Sequence, residues 1–344
     1  NYIRVTKQLV IILQIKGLDK MFKSTNLDQF TFPFKTDNYR YSNDLVDLPK
    51  ERANFVKITP EYKAQIARKR KLIDEEPEVR FQSFPHTMEM QWELVEMLSA
   101  MLVDQYPEYC ELHKNGNEWT FKNHILNETE NFTFGDDSSI DYEPLNLIGR
   151  HIHNDFLLMV NRDDNFYLEV SQISFAALFS GNWNLGMSFN EIHGPVPFVD
   201  RQGRELTDRI RKFLFTIQPG KPKTRVNWNL MADRWDVNYE TLDIWGPQRE
   251  NVTSENAGKL VHLRVEEQWF IRLPRSNAVL FVLDTMFLPM EDLPLREGWL
   301  ETTYNVLSDI PDYMAEYKGM APFLPQTVEY LKNLLEKQKQ KVNS

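Results

Sequence analysis

A single histidine, His193, stands at the mouth of a stiffened loop in the run Asn182-Trp-Asn-Leu-Gly-Met-Ser-Phe-Asn-Glu-Ile-His-Gly-Pro-Val-Pro-Phe198. Gly194 has no Cβ and lets the backbone approach a flat partner closely. Pro195 and Pro197 hold φ near about −65° and keep the next segment extended, so the imidazole is aimed. An imidazole fixed in this way is what an axial metal or haem ligand requires. The same turn also serves purely structural ends, and the motif alone does not choose between the two.

A second chemical pattern lies in Leu263–Arg272. Strand alternation puts Leu263, Val265, Trp269 and Ile271 on one side, and Arg264, Glu266, Gln268 and Arg272 on the other. Two readings are open. The polar row forms cross-strand ion pairs, or an arginine here or at Arg225 clamps a carboxylate through its planar fork. Glu267 falls on the apolar side, so either a bulge turns it out or it occupies a pocket. His151 and His153 are read as two positions apart on a helix, pointing to different sides, and so make poor partners for one metal. Cys110 lies between Glu108 and Glu111, which raise a thiol pKa and disfavour a thiolate.

The absences narrow the field. No Gly-rich dinucleotide or phosphate loop is present, so nicotinamide or ATP chemistry needs a second protein. No Cys-x-x-Cys-His occurs, so a haem would be held non-covalently. A net charge of −10 gives no nucleic-acid footprint. The apolar run Leu9–Ile15 is too short to span a bilayer, and one cysteine fits a reducing, cytoplasmic compartment.

The elements that must position these groups follow from periodicity. Helices are predicted over Glu61–Glu76, with the basic run Arg68–Lys71 on its solvated side, over Met88–Gln105, and from Pro144 onward. Phe156–Asn161 and Asn165–Ile173 read as a hairpin about Arg162–Asp164. A helix over Arg204–Ile217 and a strand over Thr224–Asn229 follow. Val261–Leu273 and Val279–Pro289 form a second hairpin, and helices near Glu301–Tyr317 and Gln326–Lys341 close the chain. Residues 22–60 read as an irregular docked arm. Residues 1–20 are set apart as an extension, leaving one domain over 21–344. The fold class is α+β, an antiparallel sheet enclosed by helices.

Several blocks occur in order: Asn182–Phe198 ending in Ile-His-Gly-Pro-Val-Pro, Arg225-Val-Asn-Trp228, Glu255-Asn-Ala-Gly258, Leu263-Arg-Val-Glu-Glu-Gln268 with Arg272-Leu-Pro274, Ala278-Val-Leu-Phe281, and Tyr317-Lys-Gly319. Together they resemble the haem-dependent oxidative N-demethylase family, alpha subunit, over roughly Phe34 to Tyr330. The resemblance implies a PAS-like sheet with a b-type haem between sheet and helices. It also implies oxidative demethylation of a small secondary amine such as dimethylamine by dioxygen. Electrons would come from NADPH through a flavin and iron–sulfur reductase, a ferredoxin-type partner. A methyl C–H is hydroxylated and the carbinolamine collapses to formaldehyde and the shorter amine.

On that resemblance His193 is the proximal iron ligand, with Glu191 a candidate acceptor for its other ring nitrogen. Arg225, Arg264 and Arg272 are candidates for the haem carboxylates, and Glu266 and Asn227 for oxygen or substrate handling. Two positions depart from the family pattern. Glu267 stands where the family has arginine in Glu-Arg-Gln, and Leu283-Asp284-Thr285-Met286 replaces Ile-Arg-Thr-Tyr. The added carboxylates would favour a cationic ammonium substrate if they face it. A PAS-like haem or small-molecule sensor is the alternative reading, since such folds commonly sense.

Overall fold

The computed structural model describes residues 25–40, 45–48, 55–194, 206–233 and 235–342. Residues 1–20, Pro195 and Pro197 lie outside these, as does the predicted start of the helix at Arg204. The chain divides into two compact units. The larger comprises Asp44–Arg225 and Gln268–Asp284. The smaller comprises Asn1–Asn43, Val226–Glu267 and Thr285–Ser344.

In the larger unit, β1 (Val46–Asp47) is followed by α1 (Tyr62–Glu75), α2 (Pro77–Arg80), β2 (Phe81–Ser83) and α3 (Met88–Gln105). Strands β3 (Cys110–Asn115), β4 (Glu118–Asn123) and β5 (Glu128–Thr133) form an antiparallel meander of their own. Then come α4 (Pro144–Gly149), β6 (Asp155–Arg162), β7 (Asn165–Gln172), α5 (Gly181–Asn184), α6 (Phe189–Ile192), α7 (Leu206–Thr216) and β8 (Lys223–Ala232). Strands β9 (Val261–Arg272) and β10 (Val279–Pro289) complete a seven-stranded sheet in the order β1-β8-β9-β10-β6-β7-β2, of which residues 226–232, 261–267 and 285–289 are counted with the smaller unit. The α+β class with antiparallel pairing is therefore as expected.

The β6–β7 hairpin turns at Asp163 and Asp164, whose φ values of 51° and 55° give the two left-handed residues of a tight hairpin loop. A bulge between Leu158 and Met159 shifts the register. One apolar cluster unites Trp92, Leu98, Phe121, Phe156, Leu280 and Val282. A second contains Leu157, Phe166, Phe189, Phe270 and Leu283, with Phe179, Ile192, Phe213 and Phe281 packed against it and half-buried. Alternation along β10 divides the clusters, since Leu280 and Val282 belong to the first while Val279 and Leu283 belong to the second.

The smaller unit holds α8 (Leu242–Gln248), α9 (Ala257–Leu260), α10 (Trp299–Asp309), α11 (Asp312–Tyr317) and α12 (Leu324–Val342). The predicted helix over Glu301–Tyr317 is two helices, because Pro311 cannot continue the first. The arm docks through aromatics: Phe32 stacks on Trp299 at 4.6 Å, and Phe34 meets Trp228 edge-on at 4.9 Å. Among the described residues no helix is long and apolar enough to cross a membrane.

Candidate functional site

The segment carrying His193 is tied to β7 by backbone bonds from Gly186 N to Leu168 O (2.7 Å) and from Leu168 N to Met187 O (2.9 Å). Ser188 then starts α6 with a capping box. Its hydroxyl accepts from Glu191 N (3.2 Å), and the Glu191 carboxylate accepts from Ser188 N and Oγ (2.7 Å each). His193 follows as the C-terminal cap of this single turn, stacked on Phe189 at 4.1 Å. Its Nδ1 lies 2.8 Å from the Phe189 carbonyl.

A carbonyl only accepts, so Nδ1 carries the proton and the neutral ring keeps its lone pair on Nε2. Withdrawal from water lowers the His193 pKa, and the Arg225 charge lowers it further against the Phe189 hydrogen bond. Burial and the Arg225 charge thus favour the neutral imidazole, the form a ligand must take. The acceptor expected at Glu191 is the Phe189 carbonyl instead, because the Glu191 side chain is consumed in the capping box. Arg225, half-buried on β8, is the cation that His193 senses.

Arg272 has another use. Its Nε donates to Ile217 O (3.2 Å), Nη2 to Leu214 O (2.8 Å) and Nη1 to Asn277 O (2.7 Å). It thus ties down the carbonyls at the end of α7, which a helix C-terminus leaves open. The fork that would grip a haem carboxylate is committed to the backbone.

In the smaller unit, Arg264, Glu266 and Asn227 come together. Arg264 Nη1 donates to Glu266 Oε1 (2.6 Å), and Asn227 Nδ2 donates to Glu266 Oε2 (3.3 Å). Arg264 and Glu266 side chains are only 2% and 9% exposed. Glu267 is buried on the opposite side of the strand, where Thr31 of the arm donates to it (2.7 Å). Asp284, in the larger unit, is buried and pairs with Lys57 Nζ (2.6 Å) and His153 Nε2 (3.1 Å). Burial alone would raise its pKa, but Lys57 and His153 outweigh burial and hold it well below the usual carboxylate range.

Other expectations are revised here. His151 and His153 lie in the turn after α4, not on a helix, and reach different carboxylates: His151 Nε2 is 3.2 Å from Glu130. His151, Glu128 and Glu130 bring ligand atoms within 4.8 Å of one another. Arg70, however, already grips Glu128 with two bonds. The first half of the basic run on α1 is not solvated, since Arg68 is 6% and Lys69 0% exposed, whereas Arg70 and Lys71 are half-buried. Lys69 Nζ donates to the carbonyls of Ile152 (3.0 Å) and Asn154 (2.5 Å) over the Phe156 ring. Burial first, and Glu108 second, push the Cys110 thiol up to about 11.

Sequence reasoning missed the Lys57–Asp284–His153 group and the buried Glu169, which accepts from His86 (2.7 Å) and pairs with Arg162. Only the Glu-Thr-Glu alternation at Glu128–Glu130 carried a local signal. The sequence model described as haem-dependent oxidative N-demethylase, alpha subunit-like, matches residues 49–328 of the chain. The chain belongs to that family.

Proposed function

We propose that the protein is a haem-dependent monooxygenase that removes a methyl group from a small secondary amine, of which dimethylamine is the reference case. Dimethylamine, dioxygen, two electrons and two protons give methylamine, formaldehyde and water. The haem, when bound, supplies activation of dioxygen. The electrons would come from NADPH through a separate flavin and iron–sulfur reductase, a need consistent with a sequence that has no dinucleotide loop. The lone, buried Cys110 suits a cytoplasmic setting.

The observation that carries this reading is the contact of 2.8 Å between His193 Nδ1 and the Phe189 carbonyl. The Nδ1–H is spent on that carbonyl, which orients the ring and offers Nε2 to iron. Arg225 supplies the cation for a haem carboxylate. The half-buried aromatics Phe179, Phe213 and Phe281 supply apolar wall for a PAS-like haem pocket on that side of the sheet. Glu266 and Asn227 are the polar groups assigned to the amine, while Arg264, expected at a haem carboxylate, is paired with Glu266 instead. Arg272 is left out, since its donors are engaged.

The test is the absorption spectrum of protein produced with haem precursor. A Soret band that survives gel filtration is expected, lost in His193→Ala and weakened in Arg225→Gln. An unchanged Soret band in His193→Ala would refute the ligand assignment.

A further inference from the structure

The carboxylates that the sequence offered to the substrate, Glu266 for handling it and Glu267 and Asp284 for a cationic form of it, are already occupied. Glu266 accepts from Arg264 (2.6 Å) and Asn227 (3.3 Å), both within the smaller unit. Glu267 accepts from Thr31 (2.7 Å), and Asp284 is matched by Lys57 and His153. An ammonium arriving at Glu266 would give up its water shell to compete with a fixed guanidinium, itself 2% exposed. It would gain little from a charge already neutralised.

Hydrogen-bond matching points the same way. Asn227 Nδ2 carries two N–H groups, and Glu266 uses one. A secondary amine in its free-base form has one N–H to donate to a carboxylate oxygen and one lone pair to accept from an amide. A dialkylammonium has two N–H groups and no lone pair, so an amide N–H beside it is a mismatched donor.

We propose that Arg264 sets the charge state of the substrate: by holding Glu266 in an internal ion pair, it makes the site take the uncharged amine and reject the ammonium. This rests on the demethylase reading and on Glu266 and Asn227 handling the amine. Arg264 is a specificity-determining residue here, acting through Glu266. The two acidic replacements at Glu267 and Asp284 then do not create a cation site, contrary to the expectation from sequence.

The experiment uses the haem-loaded full chain and dimethylamine. Calorimetric titration at about pH 7.5, in buffers of different ionisation enthalpy, counts protons released on binding. A dialkylamine is almost entirely protonated there, having a pKa near that of a lysine ammonium, about 10.4. Free-base binding therefore releases about one proton per amine, and kcat/KM rises about tenfold per pH unit between about pH 6.5 and 8.5. The non-titrating N-methylacetamide serves as the reference for ionisations of the enzyme itself.

Arg264→Gln should abolish the proton release and flatten the pH dependence, while Arg264→Lys retains both. Wild-type binding with no proton release overturns the inference alone, and so does proton release that persists in Arg264→Gln. Absence of any amine binding overturns the demethylase reading together with it. The wild-type proton count stands even if Arg264→Gln does not fold.

Discussion

Replacing Lys69 with methionine should change the pH dependence of folding in a direction opposite to that of a surface lysine. The ammonium is fully buried on α1, and burial lowers its pKa from 10.5 to about 7, against the attraction of Asp155. Between these two values the unfolded chain holds a proton that the folded chain has shed. Stability therefore rises with pH across the window, is lowest below about pH 7, and levels off above 10.5. At about 1.4 kcal/mol per pH unit, the whole interval is worth about 5 kcal/mol, and about 4 kcal/mol is recovered by pH 10. Urea unfolding of wild type and Lys69→Met at several pH values between 7 and 10 isolates the effect, because titrating groups not coupled to Lys69 cancel in the difference. The loss of donors to the Ile152 and Asn154 carbonyls adds a constant cost to the variant at every pH. A wild-type advantage that stays level from pH 7 to 10 would refute the reasoning and leave Lys69 an ordinary charged lysine.

Asp284→Asn removes the charge that Lys57 and His153 share and should cost about 3–5 kcal/mol by urea unfolding at pH 7. Because the Asp284 pKa is depressed, its contribution is full above the ordinary 3.8 and fades as pH falls through the folded value. Acidification should thus cost wild type more than the variant. Arg272→Met strips donors from the Leu214, Ile217 and Asn277 carbonyls, at about 1–3 kcal/mol for each group left buried and unpaired, and should lower Tm. Gly258→Ala puts a Cβ 2.4 Å from the Tyr330 hydroxyl and should cost about 1–3 kcal/mol, relieved in the double variant with Tyr330→Ala.

The parts of the fold legible in sequence were those whose period is set by burial on one side. Met88–Gln105 and the two long hairpins fall where the pattern put them. The β3–β5 meander went unread, although Gly116-Asn117 forms its first turn with Gly116 at φ +59°, a two-residue hairpin signal. Its strands carry glutamates and lysines on their open side, which suppresses the apolar signal. The basic run on α1 was misread for a related reason. Charge predicts exposure only when no buried carbonyls need a donor, and the turn at residues 152–154 has two that need one. Asp284 and Lys57 are 227 residues apart, so no local pattern could join them.

The candidate ligand illustrates what local chemistry does convey. Ser188 followed three residues later by Glu191 is a capping-box signature, readable without any structure. It predicts a helical turn beginning at Phe189, and a residue four positions on sits over the carbonyl of that first residue. His193 is that residue, so the bond from Nδ1 to Phe189 O follows from the same spacing that makes the turn. The capping box also removes Glu191 from contention, because one carboxylate cannot serve both the Ser188 amide and the ring. Aiming Nε2 is thus a consequence of α6 itself. If so, Ser188→Ala, which touches neither the imidazole nor its acceptor, should loosen the turn by about 1 kcal/mol. Haem retention in that variant should fall partway toward that of His193→Ala. Retention equal to wild type would mean that something other than α6 orients the ring.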